Sequence, residues 1–465
     1  MADFWIAGTP ASSDDIVTIR SPLDGAVVGV TSNARPDQVE QAVSAAAAVA
    51  LEAARLPASA RAAALDHVSA TLAKRADEVA ALITAENGKP GFWAKAEVSR
   101  AVSTFRWAAE EARRFSGEMM RLDTDPAATG RMAVVRRFPR GPVLGITPFN
   151  FPLNLVAHKV APAIAVGAPI VVKPAPATPL TALLLGEILA ETELPPGMFS
   201  ILPLPNDRAS ALVADPRLPV VSFTGSAPVG AQIRAAVPEK HVTLELGGNA
   251  AVLICSDYRN LDWAAQRVAL FSNYQGGQSC IAVQRVFVHS SIADAFTEKL
   301  VEAVSKLDFD AQVGPLISEQ AAQRVQQWVD ESGGRVLAGG SRQGTRYEPT
   351  VLTDVAGDAK VVTEEVFGPV MVLSTVDSDD AGLDAVNDSK YGLQAGVFTT
   401  NVQTAFKAHT TLNVGGVIIG DAPSYRADQM PYGGAKGSGV GREGLRSAMH
   451  DYTEARVMVL TNLEL

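Results

Sequence analysis

The sequence predicts an α/β protein with a doubly wound parallel-sheet domain, a second α/β domain and a protruding β element, on three observations. Short apolar strands alternate with helical stretches across residues 142–253. A second alternating series runs from residue 283 to residue 420. The segment RMAVVRRFPR, residues 131–140, sets apolar residues between arginines, as an exposed strand standing off the body does, and residues 456–460 are its natural partner.

The first series is PVLGIT (142–147), a helix over 153–165, PIVVKP (169–174), a helix over 180–190, FSILPL (199–204), a helix over 207–213 and VVSF (220–223). A helix over 229–236, VTLEL (242–246) and AVLIC (251–255) complete it. The second is VQRVFVH (283–289), helices near 291–307 and 318–331, PVMVLSTV (369–376), a helix near 380–388, QAGVFT (394–399) and VGGVIIG (414–420). Ahead of both, residues 37–115 are Ala-rich with apolar residues three and four apart, which predicts two or three helices broken at Leu56-Pro57 and at Asn87-Gly88-Lys89-Pro90. Repeats, low-complexity tracts and long linkers are absent from the sequence, so the domains are expected to pack together.

A chain of 465 residues exceeds a usual domain of roughly 100–200 residues, in keeping with more than one core. Apolar residues make up 47% and charged residues 19%, which excludes a disordered or fibrous class. The net charge of −10 repels polyanions and argues against nucleic acid as a partner. Two cysteines, Cys255 and Cys280, imply no disulfide framework and a reducing compartment. The opening MADFWIAGTPASSDD carries no export pattern. The apolar stretch 156–172 is interrupted by His158, Lys159, Pro162 and Pro169, so no membrane span is expected. A cytoplasmic location follows as an expectation.

Four local patterns carry candidate chemistry. In QGGQSCI, residues 275–281, Cys280 follows a glycine-rich turn whose backbone N–H groups can face a substrate oxygen. Such a cysteine is either a thiolate nucleophile or a small buried hydrophobe; Cys255, ending an apolar strand, reads as packing. In TLELGGN, residues 243–249, Glu245 is a general base or a glutamate on the open side of a strand end. In GITPFNFP, residues 145–152, Asn150 is an oxyanion donor or a turn cap. SFTGS, residues 222–226, with Gly230 beyond it, follows a strand and opens a helix whose N-terminus suits a phosphate, although it is not the G-x-G-x-x-G pattern. Lys173, at the carboxyl end of PIVVKP, adds a cation to the crevice where such sheets hold nucleotides.

In order and spacing TPFNFP, VVKPAPATP, SFTGS, LELGG, GGQSC, EEVFGP (364–369) and MPYGGAKGSGVGREG (430–444) resemble the aldehyde dehydrogenase superfamily. The likeness runs from SPLDGAVVG (21–29) to DYTEARVM (451–458). It implies a Rossmann-like NAD(P)-binding domain over 1–120 and 141–247, a catalytic domain over 248–445, and oligomerisation strands over 121–140 and 446–465. By the same resemblance Cys280 matches the nucleophile that forms a thiohemiacetal and then a thioester, and Glu245 the base that activates water. Asn150 with the Cys280 backbone N–H matches the oxyanion hole, and Lys159 a lysine near the proton path. Thr147, Pro148, Phe149, Lys173, Gly225, Ser226, Leu246, Gly247, Glu365 and Phe367 match cofactor contacts. Among them Lys173 would meet the adenosine ribose, Gly225 and Ser226 the pyrophosphate, and Glu365 the nicotinamide ribose.

The presence of Glu245 favours hydrolysis to a free acid, because members that pass the acyl group to coenzyme A tend to lack this base. Many NAD-preferring members carry a glutamate three residues after the lysine; Pro176 stands there, which removes a repulsive charge and leads to the expectation that NADP is accepted as well as NAD. For the substrate, Arg100 and Arg426 read as anchors for an anionic or hydroxylated tail or as surface arginines. Phe151 and Ser279 stand where a phosphonate-binding member would offer basic groups, so short aliphatic or hydroxy-aldehydes come first and semialdehydes or other anionic aldehydes second. An inactive binding relative, or an acyltransferase or esterase using the same thiol, are the rival classes. No metal is expected, and a homodimer or homotetramer is.

Overall fold

Two mainly parallel sheets form the body of the computed structural model, which describes residues 1–464. In the first sheet the central strands run Phe199–Ile201, Ile170–Lys173, Val143–Ile146, Val220–Thr224, His241–Glu245, all parallel, with Thr9–Ala11 and Phe4–Ile6 antiparallel at one edge and Gly439–Val440 antiparallel at the other. In chain order this is third, second, first, fourth, fifth, so the winding direction reverses between Val143–Ile146 and Val220–Thr224. A crevice opens beyond the carboxyl ends of strands at such a reversal, and that is where open α/β sheets bind ligands. Runs such as VLGI and IVVK are buried at every position, because helices cover both sheet faces. The helix Asn154–Val166 is buried on all sides and ends at Gly167, whose φ of 78° suits a left-handed cap.

The second sheet has the order Arg335–Ala338, Thr350–Thr353, Val370–Val376, Val283–His289, Ala250–Ile254, Gln394–Phe398, Gly416–Ile419. All of it is parallel except the edge strand Arg335–Ala338. Gly247 and Gly248 carry the chain from the end of His241–Glu245 in one sheet to Ala250–Ile254 in the other. A Cβ on Gly248 would collide with the carbonyl oxygen of Cys280, so only glycine lets the two segments approach this closely. Cys255 lies fully buried in the second core, as a packing residue does.

The third sheet stands apart: Thr453–Leu460 pairs antiparallel with Met132–Pro139, and Glu118–Arg121 pairs on the other side. Val457, Met458 and Val459 on its edge are exposed. Among the described residues no helix is long and apolar enough to cross a membrane.

The structure departs from the sequence reading in three places. Residues 36–114 form four helices, Pro36–Arg55, Ala58–Lys74, Ala76–Asn87 and Gly91–Arg114, instead of two or three. The extra break falls at Arg75, which is neither Gly nor Pro; it turns the chain so that Leu65 and Leu72 before it and Val79 and Ile83 after it reach one core. Residues 446–465, read as strand, begin with the helix Leu445–Asp451, because Leu445, Met449 and Tyr452 bury in the first core. Gly439–Val440, assigned to the second domain, pairs with His241–Glu245 at the edge of the first sheet.

Candidate active site

The crevice at the winding reversal deepens into a cleft of about 680 Å³ between the two sheets. Its floor is the turn that follows Val143–Ile146. There the Asn150 side-chain amide donates to the Gln278 carbonyl at 3.0 Å, which leaves the second of its two N–H groups for another acceptor. The turn is held from below by a buried ion pair of Lys89 and Glu97. Lys89 Nζ donates to the Asn150 carbonyl at 2.7 Å, and Glu97 accepts from the Leu153 and Asn154 backbone N–H groups at 2.9 and 3.1 Å.

Facing Asn150 is the Cys280 turn. Gln275, Gly276 and Gly277 have φ of 44°, 69° and 67°. A Cβ at Gly277 would meet the backbone of Gly368, and Gln275 adopts a conformation that non-glycine residues rarely take, a strain that clusters at functional sites. Gln278 locks the turn, donating to the Gln275 and Pro315 carbonyls and accepting from the Ile317 N–H at 2.8 Å. The Cys280 sulfur therefore points into the cleft from a fixed backbone. Burial pushes its thiol up to about 12, against the pull of a hydrogen bond with the Tyr432 hydroxyl at 3.0 Å.

Glu245 closes the third side. It is 3% exposed, and neither carboxylate oxygen has a hydrogen-bond partner among the described residues. Burial first, and then the negative charge of Glu443, push it well above the usual carboxylate range. Glu443 is the opposite case. Although burial works against its charge, Lys159 and Arg426, each at 3.1 Å, hold it down to about 2. Lys159 does not line the cleft; it lies behind it, donating also to Ser222 and Thr224.

Of the expected cofactor contacts, Pro148, Phe149, Gly225, Ser226, Leu246, Gly247, Glu365 and Phe367 line one arm of this cleft. Phe149 and Phe367 meet edge to face at 5.8 Å. Glu365 accepts from the Gly248 N–H at 2.9 Å, and burial pushes it up to about 7. Thr147, Lys173 and Pro176 fall outside the lining. Thr147 is buried, Pro176 is exposed, and Lys173 donates to Asn206 Oδ1 at 2.9 Å with its pKa lowered to about 8 by burial.

The expected substrate residues Arg100, Phe151, Ser279 and Arg426 line the other arm. Arg426 is buried, whereas 30% of the Arg100 side chain is exposed. The Arg100 guanidinium donates to Asp428 Oδ1 at 3.2–3.3 Å, while Arg426, paired with Glu443, stacks on the Tyr432 ring at 3.8 Å. Ser279 is bonded to the Tyr274 hydroxyl at 2.5 Å, and Lys89 lies over the Phe151 ring.

Tyr432, Glu443 and Asp428 were not singled out from the sequence. The first two sit inside the glycine-rich segment 430–444, yet only folding brings that segment back against Cys280 and Lys159. An Arg-Ala-Asp triplet ending at Asp428 carries no local signal.

The chain matches the aldehyde dehydrogenase family over residues 9–458. It belongs to that family. Among relatives, a 3-sulfolactaldehyde dehydrogenase of Priestia aryabhattai is 42% identical over 401 residues, 84% of this chain and 83% of that one. Aldehyde dehydrogenase 21 of Physcomitrella patens, solved with the reaction product succinate, superimposes with a TM-score of 0.97 at 43% identity, covering 99% of this chain and 98% of that one. The NADP-dependent glyceraldehyde-3-phosphate dehydrogenase of Bacillus halodurans C-125, solved with NADP, superimposes with a TM-score of 0.95 at 32% identity and covers 99% of each chain. The α/β aldehyde dehydrogenase fold expected from the sequence is thus the fold observed.

Proposed function

We propose that this aldehyde dehydrogenase oxidises a short aldehyde to the free carboxylic acid, with NAD or NADP as acceptor and Cys280 as nucleophile. The observation that carries the reading is the convergence of the Cys280 sulfur, the unpartnered Glu245 carboxylate and the Asn150 amide on one cleft. Its other arm fits a dinucleotide. The helix Ala227–Ala236 opens at Ser226 with no side-chain cap, and Ser226, Ala227 and Pro228 line the cleft, so the helix N-terminus stands at this arm. A Cβ at Gly247 would strike the Glu365 carboxylate, so the glycine keeps that carboxylate accessible to a ribose.

In this reading the Cys280 sulfur bonds to the carbonyl carbon, and the oxygen that takes up charge is received by the spare Asn150 N–H and the Cys280 backbone N–H. A nicotinamide held in the other arm would supply the acceptor for the hydride that leaves this carbon, so that a thioester remains on Cys280. Glu245 then takes a proton from water, whose oxygen adds to the thioester carbon; the carbon–sulfur bond breaks, the acid leaves and the thiol is restored. Burial, and after it the negative charge of Glu443, keep the affinity of Glu245 for that proton high, with Arg426 and Lys159 pulling the other way. The test is acid production and cofactor reduction across a panel of aldehydes with both cofactors. One acid formed per reduced cofactor supports the reading, and acyl transfer or ester cleavage without reduction overturns it.

Arg100 supports a second, narrower reading, an aldehyde with an anionic tail. It lines the cleft, and its only partner among the described residues is Asp428. The relatives named for 3-sulfolactaldehyde and solved with succinate act on or yield anionic compounds. We also propose that the edge of Thr453–Leu460 pairs with another subunit in a homodimer or homotetramer, since it presents unpaired backbone and exposed Val457, Met458 and Val459. A reducing, cytoplasmic setting agrees with two free cysteines.

A further inference from the structure

We propose that Tyr432 is a catalytic residue that donates its phenolic hydrogen to the Cys280 sulfur and stabilises the thiolate that attacks the aldehyde; this rests on Cys280 being the nucleophile. The hydroxyl lies 3.0 Å from the sulfur, within hydrogen-bond reach for a sulfur acceptor. In the thiol form either atom can donate. Once the sulfur loses its proton to water, only the phenol can, and a hydrogen bond to a charged acceptor is stronger than one to a neutral acceptor.

Three features fit the residue to this task. Its position is set by the main chain, since Tyr432 and Glu443 exchange backbone hydrogen bonds at 2.9 and 2.7 Å. Its ring is stacked at 3.8 Å under the Arg426 guanidinium, which attracts electrons from the phenol and makes the O–H a better donor. Its ring is packed: Tyr432, Ile281 and Leu393 lie together with Cys280 against them.

The charged and titratable groups facing the sulfur otherwise work in both directions. Glu365 and Glu245 disfavour the thiolate, Arg426 favours it, and the Tyr274 phenol, tied to Ser279, lies on the remaining side. Among the described residues Tyr432 is the hydrogen-bonding side chain on the sulfur. Removing its hydroxyl takes away that hydrogen bond and leaves the anion beside two carboxylates, so the thiol should ionise at higher pH.

The test is the pH dependence of Cys280 alkylation by iodoacetamide, followed by mass spectrometry of the Cys280 peptide, in wild type and Tyr432→Phe. Phenylalanine keeps the ring and the Arg426 stack. The midpoint should rise by about one pH unit or more, the equivalent of about a tenfold loss of thiolate at a pH below both midpoints. The kcat/KM of the variant should fall about tenfold near neutral pH and recover toward alkaline pH. An unshifted midpoint, or a loss of kcat/KM equal at all pH values, overturns the proposal. A fluorinated tyrosine at position 432, a stronger donor of the same shape, should lower the midpoint, and no movement there overturns it too. Full activity in Cys280→Ala would instead remove the nucleophile on which the proposal rests, an outcome separate from any shift in the alkylation profile.

Discussion

Glu245 and Glu443 are buried beside the same cleft, yet only Glu443 is neutralised. Lys159 and Arg426 hold it at 3.1 Å each, while both oxygens of Glu245 lack a partner among the described residues. One carboxylate is thereby fixed as an anion and the other is left to bind and release a proton, the separation of environments that marks an acid–base pair.

Glu245→Gln should retain the first, stoichiometric burst of cofactor reduction and slow steady-state turnover about 10²- to 10⁴-fold, the usual contribution of a positioned base. Rapid-mixing absorbance of the reduced cofactor checks it. An unchanged steady-state rate would remove Glu245 from the mechanism.

The pH profile of deacylation follows from the same pair. Glu245 must be ionised to act, and its pKa is raised by burial and by Glu443, so the rate should fall as pH drops through a value well above the ordinary carboxylate range. Glu443→Gln removes the neighbouring negative charge and leaves Lys159 and Arg426 uncompensated. Both changes favour ionised Glu245, so the acid limb should move to lower pH. A limb that stays in place or moves up contradicts this.

For the cofactor, exposed Pro176 puts no carboxylate near Lys173 at the position where NAD-preferring relatives are expected to carry one. Pro176→Glu should reduce kcat/KM for NADP about tenfold or more relative to NAD, through repulsion of the 2′-phosphate. Wild type should use NADP; a strong native preference for NAD would show that Pro176 does not set the choice.

Beneath the Asn150 turn, Lys89→Ala would strand a buried Glu97 and release the Asn150 carbonyl. Breaking a buried pair in this way destabilises by about 3–5 kcal/mol. Chemical denaturation should show the loss, and the variant that still folds should also show reduced kcat, because the oxyanion amide is no longer fixed.

On the projecting sheet, Val457→Lys together with Val459→Lys should weaken subunit assembly without disturbing either core, since both side chains are exposed. Light scattering coupled to size exclusion reads the mass. A wild-type monomer would refute the proposed oligomer.

Much of this protein was legible in its amino-acid order. Apolar runs such as VLGI, IVVK and AAVLI, spaced by helix-length segments, specify parallel strands because both faces of each strand must be covered. Glycine pairs before Cys280 and after Glu245 marked where backbone segments approach closely, and the ordered motifs brought the family. The break at Arg75 was not legible, since nothing local stops a helix there.

The relations that tertiary structure alone decided are those between distant residues. Cys280 meets a tyrosine 152 positions along the chain, and Lys159 meets a glutamate 284 positions away. Local pattern reports which faces must be buried, and so which elements form. Which charges then share a dry space, and whether each finds a counterion, depends on how two finished sheets come together, and that sets the difference between Glu245 and Glu443.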